Sequence, residues 1–235
     1  MRSDDVLDVR RISLFSTLSD KHFDDLLQTA YLQSFPTNVQ LTTEGGPAEF
    51  LHVIVQGTVE LFSNSNDREA TMFVLKPVST FNLSAVLEDA VYLMSARTKD
   101  RAKVLMIPAE NVRKAMEADS VFAYAMAAEL AKRYRVVIRS LKEHRLRSGL
   151  ERLANYLLRL NEATPGMGYI ELTEDKRDLA ARLGMTPEYL SRSFVKLRKY
   201  GVEVNGRKIC LTNLNDLKHL AMPNPLIDNR ADIAT

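Results

Sequence analysis

Residues 171–211, ELTEDKRDLAARLGMTPEYLSRSFVKLRKYGVEVNGRKICL, constrain the fold more tightly than any other stretch of the chain. Thr173 is placed to cap a first helix, with acidic Glu174 and Asp175 at its positive end. Leu179, Ala180 and Leu183 give that helix an apolar face, and Gly184 ends it in the left-handed conformation that glycine adopts cheaply. Thr186 then caps a second helix, with Pro187 suited to its first position. Leu190, Phe194 and Leu197 recur at helical spacing and face inward, which sends Glu188, Ser191, Arg192 and Lys196 to the exposed side. The following VEVNGRKICL reads as a two-stranded hairpin turning at Asn205-Gly206. The pattern is a helix-turn-helix followed by a wing.

The second helix of such a unit lies in the major groove of DNA. Glu188 suits a cytosine amino group. Arg192, one turn on, suits the two acceptors of guanine, and Ser191 lies between them. Lys176 at the first helix and Arg207 at the wing tip are placed for phosphate, with Thr186, Tyr189 and Lys196 as further backbone contacts. A solvated helix with an incidental Glu188–Arg192 pair is the bland alternative. Cap, glycine turn and wing agree with one another and favour DNA. Charge agrees too. Residues 1–110 hold 10 Lys/Arg against 15 Asp/Glu, a net of −5, whereas residues 145–208 hold 13 against 8, a net of +5.

The rest of the chain reads as a separate α+β part. Residues 5–31 suggest short helices anchored by Leu14, Phe15, Leu18, Phe23, Leu26 and Leu27. From 32 to 107, short alternating runs such as FLHVIVQGTVELFS and AKVLMIP suggest a sandwich or jelly-roll barrel, with Gly57 at a structural turn. Residues 109–144 read as one long helix. On it Met126, Leu130, Tyr134, Val137, Leu141 and His144 recur at steps of four and three, the spacing of a homodimer seam. Packing of this helix on its own barrel is the alternative. Helix continues over 145–162 with Gly149 as a hinge, and Pro165-Gly-Met-Gly breaks the chain. The expected divisions are a sensor barrel at 1–108, a dimerisation helix at 109–144, a winged helix-turn-helix at 145–222 and a loosely held tail at 223–235.

Other classes find little support. No nucleophile–base pair, metal-ligand spacing or phosphate loop is present, Gly45-Gly46-Pro47 being too short, so no enzyme is expected. A single cysteine, Cys210, excludes an internal disulfide and suits a reducing compartment. It is read as a structural thiol on a wing strand, with a redox switch as the alternative. Without a membrane-spanning run or signal pattern, the expected location is the cytoplasm.

Over nearly its whole length the chain resembles the CRP/FNR family of bacterial transcription regulators. HVIVQGTVEL resembles the family's cyclic-nucleotide-binding barrel, and EYLSR (Glu188 to Arg192) fits the E-x-x-S-R signature of the FNR and FixK branches. Pro187 and Ser191 stand where the cyclic-AMP receptor branch has Arg and Gly. The resemblance implies a homodimer on double-stranded DNA at a site like TTGAT–N4–ATCAA, recruiting RNA polymerase as an activator, with repression as a variant. It also implies what the sensor lacks. At the family's phosphate cassette this chain reads FNLSAVLEDAVYLMSAR. Asn82 and Leu83 replace the Gly-Glu pair, and Met94, followed by Ser95-Ala96, replaces the arginine. A cyclic phosphate would lose its countercharge there, so no cyclic AMP or cyclic GMP is expected. Arg97 is expected to point elsewhere on its strand. An FNR-type iron–sulfur cluster needs a set of cysteines that is missing. The carbon-monoxide sensor's haem ligands would fall within Phe81–Ser84, where Asn82 and Ser84 stand. A different haem ligation through His22, His52 or His144, making a gas or redox sensor, remains an alternative without support. Leu83, Met94 and Ser95 mark a possible effector pocket. Equally, Leu83, Val86, Leu87, Tyr92, Leu93 and Met94 fill the barrel core.

Overall fold

The computed structural model describes residues 6, 9, 10, 12–66, 68–164, 167–172 and 175–228. They form two compact units that divide within one helix, after Arg133. The first unit begins with α1 (Ser13–Ser16) and α2 (Asp20–Gln28), the latter capped by Ser19, whose hydroxyl accepts from the His22 N–H. Eight strands follow: β1 (Tyr31–Phe35), β2 (Gln40–Thr42), β3 (Phe50–Gln56), β4 (Val59–Ser65), β5 (Arg68–Leu75), β6 (Ser79–Phe81), β7 (Ser95–Thr98) and β8 (Ala102–Pro108). They pair antiparallel in two four-stranded sheets, β1-β8-β3-β6 and β2-β7-β4-β5, the jelly-roll arrangement expected. Gly57 makes the turn from β3 to β4 with φ +80°.

β3 is buried on both faces, which explains why FLHVIVQ reads as a nearly continuous apolar run rather than an alternation. Leu51 and Val53 pack with Phe15, Phe122 and Val112 under the helices. Ile54 packs with Val59, Leu61, Phe81 and Ala96 between the sheets. A short helix absent from the sequence reading, α3 (Leu83–Glu88), joins β6 to β7. Leu83, Val86 and Tyr92 enter the core as expected, but Leu93 is exposed and does not.

The single helix expected from residue 109 is two. α4 (Ala109–Ala118) stops at Asp119, and α5 (Ser120–Leu146) starts afresh. Asp119 is the cause: its Oδ1 accepts from the Val121 and Phe122 N–H groups, as an N-cap does, and its Oδ2 lies 2.9 Å from His22 Nδ1. On α5 the expected seam also divides. Met126 is fully buried and Leu130 is half-buried, both packed into the core of their own unit. Both residues thus have packing partners within their own unit.

The second unit comprises the end of α5 followed by α6 (Gly149–Ala163), β9 (Ile170–Glu171), α7 (Lys176–Arg182), α8 (Pro187–Leu197), a 3₁₀ turn at Arg198–Tyr200, β10 (Val202–Asn205), β11 (Lys208–Leu211), α9 (Leu214–Ala221) and α10 (Pro225–Asp228). α6 opens with a capping box, Ser148 and Glu151 each bonding the other's backbone N–H. One core joins Leu153, Leu157, Leu179, Leu190, Leu197, Ile209 and Leu217. The wing has a third strand, in the order β10-β11-β9. Its hairpin pairs Asn205 with Lys208, so the turn is Gly206-Arg207, one residue later than expected. Thr173, the expected cap of α7, and Glu174 lie outside the described residues, as do Pro165 and Gly166. Asp175 caps α7 instead, its carboxylate accepting from the Asp178 N–H at 2.7 Å. Nor is the segment after 223 loose as far as Asp228, since Ile227 is buried and Asp228 is ion-paired.

Candidate nucleic-acid interface

Helix α8 is fixed from its first turn. The Thr186 hydroxyl accepts from the Tyr189 N–H at 3.2 Å, and Pro187 begins the helix. Leu190, Phe194 and Leu197 are buried, whereas Glu188, Ser191, Arg192 and Lys196 are exposed on the opposite face, where the sequence puts them. The Glu188 carboxyl is held below its ordinary range, first by its own backbone N–H, then by the Thr186 hydroxyl and the Arg192 charge. It is therefore an ionised, acceptor-only group at neutral pH, as a cytosine amino partner requires.

The turn between α7 and α8 is held by a residue that sequence reasoning passed over. Arg152 Nε donates to the Leu183 carbonyl at 2.8 Å, and its Nη2 donates to the Gly184 carbonyl at 3.2 Å. A cation at the carbonyl end of α7 is favourable. Nη1 of the same side chain donates to the Arg147 carbonyl at 2.8 Å, joining the turn to the start of α6. Nothing in local spacing announces this, because the partner carbonyls are about thirty residues away. Gly184 has φ +60°, and a Cβ there would lie 2.3 Å from His144 Cε1. Gly149 is no free hinge: it sits inside a capped helix, and a Cβ on it would lie 2.5 Å from the Tyr189 ring.

A buried ionic cluster closes the other side of this unit. Arg147, only 6% exposed at its side chain, donates two bonds to Asp228 at 2.7 and 2.6 Å. Arg159 Nη1 donates to Asp228 at 3.0 Å and to Glu143 at 3.4 Å. Burial pushes the Asp228 carboxyl up, but the Arg147 bonds, the Asn224 N–H and the charges of Arg147 and Arg159 together hold it below the usual carboxylate range.

Of the expected backbone contacts, Lys176 and Lys196 are exposed, and Arg207 is exposed at the wing turn. Tyr189 is half-buried against Gly149, and the Thr186 oxygen is engaged in its cap. Lys208 stacks over the Tyr169 ring at 4.5 Å. Cys210 is half-buried on β11, opposite Glu203.

In the first unit, the side chains at and beside the cassette positions are already engaged within the protein. Leu83 is buried, and Met94 packs half-buried against the inter-sheet core. The Ser95 hydroxyl already accepts from the Glu44 N–H at 2.9 Å. Arg97 is taken up by Glu60 at 2.8 Å and by Glu69 at 2.6 Å, with its guanidinium over the Phe62 ring. His52 is enclosed by aromatics, stacked on Phe81 at 4.7 Å, and burial pushes it down to about 4, so it is neutral at neutral pH. Among the described residues no group of three His, Cys, Asp or Glu side chains could hold a metal ion, and no described helix is long and apolar enough to cross a membrane.

Comparisons with known proteins agree with this division. Residues 32–119 match the cyclic nucleotide-binding domain family, and residues 151–220 match the Crp-like helix-turn-helix domain family. A protein of Ruegeria pomeroyi DSS-3, solved as a candidate cyclic nucleotide binding protein, is 26% identical over 95% of this chain and 100% of its own, with a TM-score of 0.56. FixK2 from Bradyrhizobium japonicum is 24% identical over 83% of this chain and 98% of its own, with a TM-score of 0.64. A CooA mutant from Carboxydothermus hydrogenoformans is 19% identical over 83% and 89%, with a TM-score of 0.68. Curated proteins gave no match.

Proposed function

The chain belongs to the CRP/FNR family of transcription regulators, and from that premise we propose that it acts in the cytoplasm as a homodimer on a palindrome like TTGAT–N4–ATCAA. It recruits RNA polymerase there as an activator and needs no cyclic nucleotide. The observation that carries this reading is the exposed Glu188–Ser191–Arg192 face on a capped helix whose approach turn is clamped by Arg152. A rigid helix that presents an ionised acceptor one turn from an arginine fork matches a C·G step in the major groove. The homodimer is supported by Tyr134, Val137 and Leu141, which are 66%, 50% and 51% exposed on α5 at steps of three and four. Independence from cyclic nucleotide is supported by Leu83, Met94 and the engaged Ser95.

One binding experiment tests the reading. Arg192→Ala loses about 1–3 kcal/mol on the palindrome and no longer discriminates its guanine, the value of one bidentate base contact. Adding cyclic AMP leaves the wild-type isotherm unchanged. A variant that still discriminates guanine as the wild type does overturns the base-reading assignment. A cyclic-AMP-dependent gain in affinity overturns the other half.

A further inference from the structure

Helix α8 carries one apolar side chain on its polar face. Val195 is 61% exposed, although Leu190, Phe194 and Leu197 of the same helix are buried. A lone surface valine is ordinary in itself. Its position is what matters. Seven residues are just under two helical turns, so Val195 lies directly along the axis from Glu188, in the middle of the face that Ser191, Arg192 and Lys196 share. A β-branched side chain in a helix keeps essentially one rotamer, so its two methyl groups are held rigidly outward. The major groove offers such a surface one apolar partner, the C5-methyl group of thymine.

We propose that Val195 is a specificity residue that packs on a thymine methyl within about two base steps of the pair read by Arg192, given the rise of the helix against that of the bases. The proposal rests on the reading of α8 as the base-contacting helix. In the bound complex the valine excludes water from the methyl group and adds discrimination for thymine over cytosine that neither Glu188 nor Arg192 supplies.

The test uses the full-length protein on the duplex that the wild type selects from a random pool. Each thymine of a half-site is replaced in turn by 2′-deoxyuridine, which removes only the methyl group. Wild type loses about fourfold in affinity at one of these positions, the worth of one methyl-sized contact. Val195→Ala, a substitution at an exposed site, is insensitive to methyl removal at that position and unchanged at the others. Persistence of every wild-type methyl penalty in Val195→Ala overturns the proposal, including the case in which the variant binds all duplexes uniformly less well by losing a sugar contact. Arg192→Ala run in parallel separates the two levels. Lost guanine discrimination with unchanged methyl penalties in Val195→Ala sinks the valine assignment alone. Retained guanine discrimination, or a failure to select any duplex, sinks the base-reading assignment beneath it.

Discussion

Gly184 carries two separate constraints at one atom. Its φ of +60° is unfavourable for any residue with a Cβ, by about 1–2 kcal/mol, and the space a Cβ would take is occupied by the His144 ring. Gly184→Ala therefore destabilises the second unit by at least that backbone amount in a urea titration. Combining it with His144→Ala recovers the steric share and leaves the backbone share. Full recovery in the double variant would show that the left-handed conformation costs nothing there. The glycine was legible because a turn between two periodic segments demands it. Its neighbour Arg152 was not, although it holds the same turn. An arginine on a helix looks the same in sequence whether it is solvated or clamped to carbonyls thirty residues away.

At the scale of elements, the chain was legible wherever a cap coincided with a period, as at Thr186 and the spacing of Leu190, Phe194 and Leu197. Helix α5 shows the limit of that reading. A run of apolar residues at steps of four and three reports that a face is covered but does not say by what. Met126 lies in the core of its own unit and Leu130 packs against it, whereas Tyr134, Val137 and Leu141 of the same run stay exposed. The two stretches should respond to substitution in opposite ways. Met126→Ala lowers the stability of the first unit by about 2–5 kcal/mol, as emptying a packed methionine site does. Val137→Glu leaves the barrel folded and converts the protein to a monomer in light scattering, because two like charges would meet in a dry interface. A Val137→Glu protein that remains a dimer removes this helix from the interface. The Asp119 break was legible in principle, since Asp followed by Ser is a cap signal, but the apolar period on either side concealed it.

For the molecule as a whole, charge is divided between an acidic first part and a basic one that carries the recognition helix. That division is legible by counting, whereas the cluster that steadies the second unit is not, because Arg147 and Asp228 are 81 residues apart. Asp228 is held below the ordinary carboxylate pKa in the folded state. Its contribution is therefore complete above the unfolded value of about 4 and is lost as pH falls through the lower folded value. At neutral pH, Asp228→Asn leaves the buried Arg147 without its main partner and costs on the order of 3 kcal/mol. The gap between wild type and variant in denaturant midpoint should narrow as pH falls from about 5 to about 3. A gap that stays constant over that range would mean the pair is not what steadies the unit. In the proposed function, base reading and chain pairing fall to different helices, α8 and α5, so lesions in the two should be inherited differently. If the chain works as the proposed homodimer, an allele altered at Arg192 still makes a chain that pairs with its normal counterpart and spoils it, and such an allele is dominant. An allele altered at Val137 makes a chain that stands apart, leaves the normal copies to pair among themselves, and is recessive.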